Sequence, residues 1–169
     1  MGILGGNPKE EPMHYGEVFG IWSALFTGKG MIAGHQTLLN HAGDIDLKNL
    51  IEEFIDQGKK EVKQFEEILK EVGVGLPPTP PERPNASLEA IPVGARFMDQ
   101  EIAAGLTADS ATGLIACSKM MGISIREDIG MIFGKIHAQK AALGMKLLRL
   151  NKDKGWLMPP PLHLHIEEQ

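Results

Sequence analysis

Between residues 77 and 84 the chain reads Pro77-Pro78-Thr79-Pro80-Pro81-Glu82-Arg83-Pro84. Proline lacks an N–H and fixes φ, so this run can be neither helix nor central strand. Extended polyproline II is the conformation left to it. Long stretches of helical hydrophobic spacing lie on both sides. About 25 residues separate the helical patterns that flank the run, and at roughly 3 Å per residue they can traverse the ~40 Å length of a helix of this size. The helices before and after it can then lie parallel, which a short turn would forbid. The expected architecture is all-α: an antiparallel four-helix bundle made of an up-down pair, a long Pro-rich crossover and a second up-down pair, in one domain spanning 1–169.

Within that frame the spacing predicts helices over 14–42, 46–72, 99–122 and 125–154, a crossover over 73–98 and an extended tail over 155–169. In the first helix Tyr15, Val18, Phe19, Trp22, Leu25, Phe26, Ile32 and Leu39 recur at helical intervals, with Gly28 and Gly30 as places where it could kink. The second carries one apolar stripe from Leu47 to Val72 and Glu/Lys elsewhere. Gly43 reads as a stop, Asp44 or Asp46 and Asp99 as caps, and Ser124-Ile125-Arg126-Glu127 as a capping box opening the fourth helix. Small residues recur every fourth position at Gly16, Gly20, Ala24 and Gly28, at Ala104, Ala108, Thr112 and Ala116, and at Gly130, Gly134, Ala138 and Ala142. Such ridges permit close helix contact, within the chain or in a dimer seam.

Composition narrows the functional classes. At 169 residues and 43% hydrophobic the chain can bury a core without staples. The formal net charge is −5 with no basic run, which argues against nucleic acid. No apolar run approaches the ~18 residues of a membrane span. Cys117 is the single cysteine and no signal sequence opens the chain, so a reducing interior is expected. Met1-Gly2 lacks the Ser or Thr that a myristoylation signal places where Gly6 stands.

The paired Glu-x-x-His motifs of di-metal carboxylate bundles are absent, since the only instance, Glu11 to His14, is interrupted by Pro12. Heights counted along the four helices nonetheless place Lys29, Glu61, Asp109, His137 and Lys140 in one inward-facing layer about 6 Å thick. Buried charges persist only when paired, hydrogen-bonded or metal-bound. Two arrangements satisfy such a layer. In one, Lys29 and Lys140 neutralise Glu61 and Asp109, with His137 among them. In the other, Glu61, Asp109 and His137 hold iron, manganese or zinc. Mixed charges need no ion, which favours the salt-bridged layer. His14, Glu17, Glu127 and Asp128 form a second acidic group, and His163, His165 and Glu167 a weak terminal clip. His35 reads as a packing residue, Cys117 as core, and Thr27-Gly28-Lys29-Gly30 lacks the spacing of a phosphate loop. The apolar tail Gly155-Trp156-Leu157-Met158-Pro159-Pro160-Pro161 can dock on its own bundle or on a neighbour.

The stretches His14-Tyr15-Gly16-Glu17-Val18-Phe19-Gly20-Ile21-Trp22, Leu76 to Pro84, Ser124-Ile125-Arg126-Glu127-Asp128-Ile129 and Leu148-Arg149-Leu150-Asn151-Lys152 resemble a Bacillus-type family. Its members are described as candidate spore coat proteins, related to spore coat protein F and assigned a ferritin-like fold. The resemblance covers nearly the whole chain. It implies the same bundle, a sporulation setting and association with coat proteins or with a second copy. It supplies no catalytic residues. A non-enzymatic structural or interaction protein is therefore expected, with a ferritin-like oxidase or metal-storage bundle as the alternative.

Overall fold

The computed structural model describes residues 7 and 10–163. Four helices dominate: α1 Tyr15–His41, α2 Ile45–Glu71, α3 Asp99–Ile123 and α4 Glu127–Asp153. Two single 3-10 turns, Leu88–Ala90 and Val93–Ala95, lie in the crossover, and no strand occurs among the described residues. The glycines of α1 do not break it. α1 packs on α2 and α3 on α4 as antiparallel hairpins. Contacts from His14 to Ile123 at one end and from Asp99 to Gly43 at the other set α1 antiparallel to α3 as well. α2 and α3 then run parallel across the diagonal, as the long crossover requires.

The core has two apolar halves. Near the C-terminal end of α1, Leu47, Leu50, Ile51, Ile102, Leu106 and Leu147 form one cluster, against which Trp156 of the tail packs. Near its N-terminal end, Ile21, Leu25, Leu69, Met120, Ile129 and the stacked rings of Phe65 and Phe133 form the other. Each such side chain contributes about 1.5–3 kcal/mol by leaving water. Tyr15, Phe19, Phe26 and Met121, which the spacing groups with the core, are exposed. α1 is apolar around most of its circumference, so periodicity does not single out the buried face.

The crossover is lashed along α1. Trp22 Nε1 donates to Gly75 O at 3.0 Å, Lys29 Nζ to Pro77 O at 3.1 Å, and Asn40 Nδ2 to Pro84 O at 3.0 Å. Gln36 Oε1 accepts from Arg83 N and Asn40 Oδ1 from Ala86 N, each at 3.0 Å. Extended polyproline backbone makes no hydrogen bonds of its own. These α1 side chains supply the missing partners.

Helix ends show where local rules hold and where tertiary contacts override them. Asp44 caps α2, accepting from Asp46 N and Leu47 N. Gly73 and Gly155 take positive φ after α2 and α4, where a left-handed residue lets trailing N–H groups turn back onto the helix. Gly43 is not such a stop. Its N–H, with that of Asp44, is received by the Asp99 carboxylate at 2.7 and 3.0 Å, so Asp99 staples the α1–α2 turn while Met98 occupies the cap position of α3.

The expected Ser124 capping box does not form, because the Ser124 hydroxyl donates back to Met120 O and closes α3. The free N–H groups before α4 go instead to Glu17, a fully buried carboxylate from the start of α1. Glu17 Oε1 accepts from Ile125 N at 2.8 Å and Arg126 N at 2.9 Å, and Oε2 from His14 N at 3.0 Å. Hydrogen bonds to a charged group contribute more than neutral ones, and orphaning buried donors costs about 1–3 kcal/mol each. Glu17→Ala is therefore expected to lower the unfolding free energy by about 3–5 kcal/mol in urea denaturation. Glu17→Gln should lower it less, since it keeps one acceptor oxygen.

Candidate functional site

Midway between the two apolar clusters the bundle narrows onto a polar layer around a cavity of about 40 Å³. That is room for one or two water molecules. Glycines make the layer possible. A methyl group at Gly28 would press on Val62, and one at Gly58 on Ile32, so both let α1 approach α2. One at Gly113 would meet the Lys140 stem at 3.0 Å, so this glycine leaves the lysine its path beneath α3.

Each carboxylate in the layer has a partner within the chain. Lys140 Nζ sits 2.7 Å from Glu61 Oε2, and Gln57 Nε2 donates to Glu61 Oε1 at 3.0 Å and to Gln139 Oε1 at 2.7 Å. Glu61 is buried with both oxygens engaged. His35 Nε2 lies 3.2 Å from Asp109 Oδ2, its ring edge against Phe54. Burial drives the His35 pKa below its usual 6.5, outweighing Asp109, while nearby Lys140 pushes the same way. The ring is neutral at pH 7 and donates to the carboxylate. One turn further along α2, Lys29 Nζ meets Glu66 Oε1 at 2.8 Å, and this ammonium holds the Glu66 carboxyl below the usual carboxylate range.

Several assignments made from sequence are revised. Lys29 pairs with Glu66 and the crossover rather than with Glu61 or Asp109. The histidine on Asp109 is His35, not His137. His137 is half-buried on α4 and makes no hydrogen bond or ion pair among the described residues. Glu61, Asp109 and His137 thus do not converge on one point, and among the described residues no group of three or more His, Cys, Asp and Glu side chains is placed to hold a metal ion. Counting heights along ideal helices gives neither the rotation of each helix about its axis nor the offset between neighbouring helices: Asp109 meets His35, while Gly113, one turn on, lies against Lys140.

The second acidic group also separates. Glu17 is taken by backbone N–H groups, Asp128 by Arg126 at 2.6 and 3.0 Å, and Glu127 is exposed. His14 caps α1 through Nδ1, which accepts from Gly16 N, so its proton sits on Nε2 and is donated to Ile123 O. Burial pushes the Cys117 thiol up to about 11, leaving it protonated and unreactive in the core. His165 and Glu167 of the terminal clip lie outside the described residues.

The chemistry of this donor set is that of a closed layer. A di-metal carboxylate centre needs unpaired carboxylates and histidines facing one another. Here ammonium groups stand where metal charge would be required, so iron, manganese or zinc does not fit the pairing present. The layer does confer a pH dependence. A base with a lowered folded-state pKa binds fewer protons folded than unfolded, so stability rises with pH. The His35 contribution is complete above about pH 6.5 and declines as the pH falls below it. His35→Gln is expected to reduce the loss of stability between about pH 7.5 and 5.5, measured by urea midpoints.

The chain is 60% identical over 164 residues to the uncharacterised protein YvdQ of Bacillus subtilis, covering 97% of this chain and 96% of that protein. Among solved structures it is similar to one from Bacillus halodurans described as a "putative spore coat protein", at 54% identity and TM-score 0.92, covering 94% of this chain and all of that one. A more distant likeness, at 16% identity and TM-score 0.63, is to a two-domain protein from Anabaena variabilis containing DJ-1/ThiJ/PfpI-like and ferritin-like domains. That match covers 98% of this chain and 43% of the other, and supports the ferritin-like bundle as fold alone. Among the described residues no helix is long and apolar enough to cross a membrane. Residues 1–168 match the family described as "Protein of unknown function (DUF3231)", and the chain belongs to that family.

Proposed function

We propose that the chain is a non-enzymatic structural protein of the spore coat, a bundle whose outer surfaces act by contacting other protein chains. The observation that carries this reading is that the central carboxylates already have partners within the chain: Lys140 on Glu61, Lys29 on Glu66 and a hydrogen bond from neutral His35 on Asp109. An oxidase or metal-storage bundle keeps its carboxylates available to a metal, whereas these are spent on holding helices together. The setting comes from the similarity to the Bacillus halodurans protein described as a "putative spore coat protein".

The tail adds a surface to this reading. Trp156 packs on the core, while Met158 and Leu162 flank three exposed prolines. A preformed polyproline segment loses little entropy on docking.

The test is fractionation of a spore-forming Bacillus that carries an epitope-tagged copy under its native promoter. The protein is expected in the coat extract of purified mature spores. Recovery only from vegetative cytoplasm overturns the proposal.

A further inference from the structure

Several side chains around the central cavity keep hydrogen-bonding capacity that the chain itself does not use. His35 Nε2 donates to Asp109 Oδ2, so the neutral ring is left with an acceptor lone pair on Nδ1. No group among the described residues donates to it. The Gln57 amide spends its Nε2 on Glu61 and Gln139, while its Oε1 receives no donor among the described residues. The Ser110 hydroxyl donates to Leu106 O and keeps its lone pairs. Lys140 Nζ has three N–H bonds to give, and Glu61 Oε2 is its partner. All four side chains line the same cavity, together with Glu61 and Asp109.

These atoms are not sealed in apolar packing. Among the described residues, Asn151 Oδ1 is the side-chain atom that is both fully buried and without a partner, so His35 Nδ1 and Gln57 Oε1 each border open space. His35, Glu61 and Ser110 are more than nine-tenths buried, whereas Asp109 and Lys140 reach solvent and form the mouth. The inner end of the cavity is therefore withdrawn from bulk water, where a bare donor or acceptor carries a desolvation cost.

The chemistry of an occupant follows from the charges and the size. An anion would lie against the carboxylates of Glu61 and Asp109, and a metal cation against the Lys140 ammonium. The occupant is therefore neutral. It must accept from Lys140 and donate to His35 Nδ1 or Gln57 Oε1, within a volume of about 40 Å³. Water meets each condition, having two donors, two acceptors and the right size. Its position has a structural consequence. Among the described residues Lys140 makes no ion pair with Asp109, so the α1–α3 pair, His35 with Asp109, and the α2–α4 pair, Glu61 with Lys140, are separate units within the chain. A molecule between them makes them one.

We propose that the cavity is a specific hydration site, in which ordered water accepts from Lys140 Nζ and donates to His35 Nδ1, joining the α1–α3 and α2–α4 pairs into one network across all four helices. The site stands independently of the coat assignment. The test is magnetic relaxation dispersion of water oxygen in a solution of the full chain at about pH 7.5, where His35 is neutral. It counts water molecules held for longer than the protein takes to tumble. The NMR chemical shift of the His35 Nδ1 nitrogen gives a second, local readout. Ser110→Leu projects a branched apolar group into the cavity, and Ser110→Ala leaves the space open. Wild type and Ser110→Ala are expected to hold equal numbers of long-lived water molecules, and Ser110→Leu at least about one fewer. In wild type the Nδ1 shift should be that of a hydrogen-bonded acceptor, moving toward the free-nitrogen value in Ser110→Leu. Equal water counts in wild type and a folded Ser110→Leu overturn the proposal, as does a free-nitrogen shift in wild type. If circular dichroism shows that Ser110→Leu has lost helix, the wild-type Nδ1 shift decides alone.

Discussion

A carboxylate removed from water must be neutralised or hydrogen-bonded, and in this bundle the partners come from a different structural element each time. Glu17 joins α1 to the α3–α4 turn. Glu61 joins α2 to α4 through Lys140. His35 and Asp109 join α1 to α3, and Glu66 joins α2 to α1 through Lys29, whose ammonium also grips the crossover. Apolar burial supplies most of the stabilising free energy and is tolerant of small shifts, whereas a buried charge pair is satisfied at one geometry. The docking of one hairpin on the other is consequently fixed at points where polar contacts must be met.

The crossover is the second consequence of the same economy. Trp22, Lys29, Gln36 and Asn40 fall along one line of α1, and their hydrogen bonds turn an otherwise unpartnered extended segment into part of the fold. This uses one flank of α1, the core uses another, and α3 a third. What remains is the outward face of α1, which carries no charged side chain and exposes Tyr15, Phe19 and Phe26.

Much of the fold was legible because proline and helical periodicity act locally. The run at Pro77 to Pro84 excludes every compact alternative to a long crossover, and the single apolar stripe of α2 admits only one buried face. What escaped was set by distant residues. Ser124 to Glu127 has the spacing of a capping box, yet Glu17, 108 residues away from Ile125, captures those N–H groups, and no local signal announces it. The central layer was read by height alone, which cannot give pairings: in the structure Lys140 meets Glu61, Lys29 meets Glu66, and the histidine on Asp109 is His35. The exposed aromatics of α1 were read as core because an apolar residue at helical spacing looks the same whether it faces its own bundle or solvent.

The interior carboxylates are partnered by the chain itself, which leaves no vacancy for a cation. Elemental mass spectrometry of protein purified without chelator or histidine tag, before and after incubation with iron, manganese and zinc, tests it most directly. The pairing of Glu61 with Lys140 and of Asp109 with His35 predicts far less than one equivalent of any metal in either state. A full equivalent, lost on Glu61→Ala, would show that the layer opens to a metal and would contradict the account.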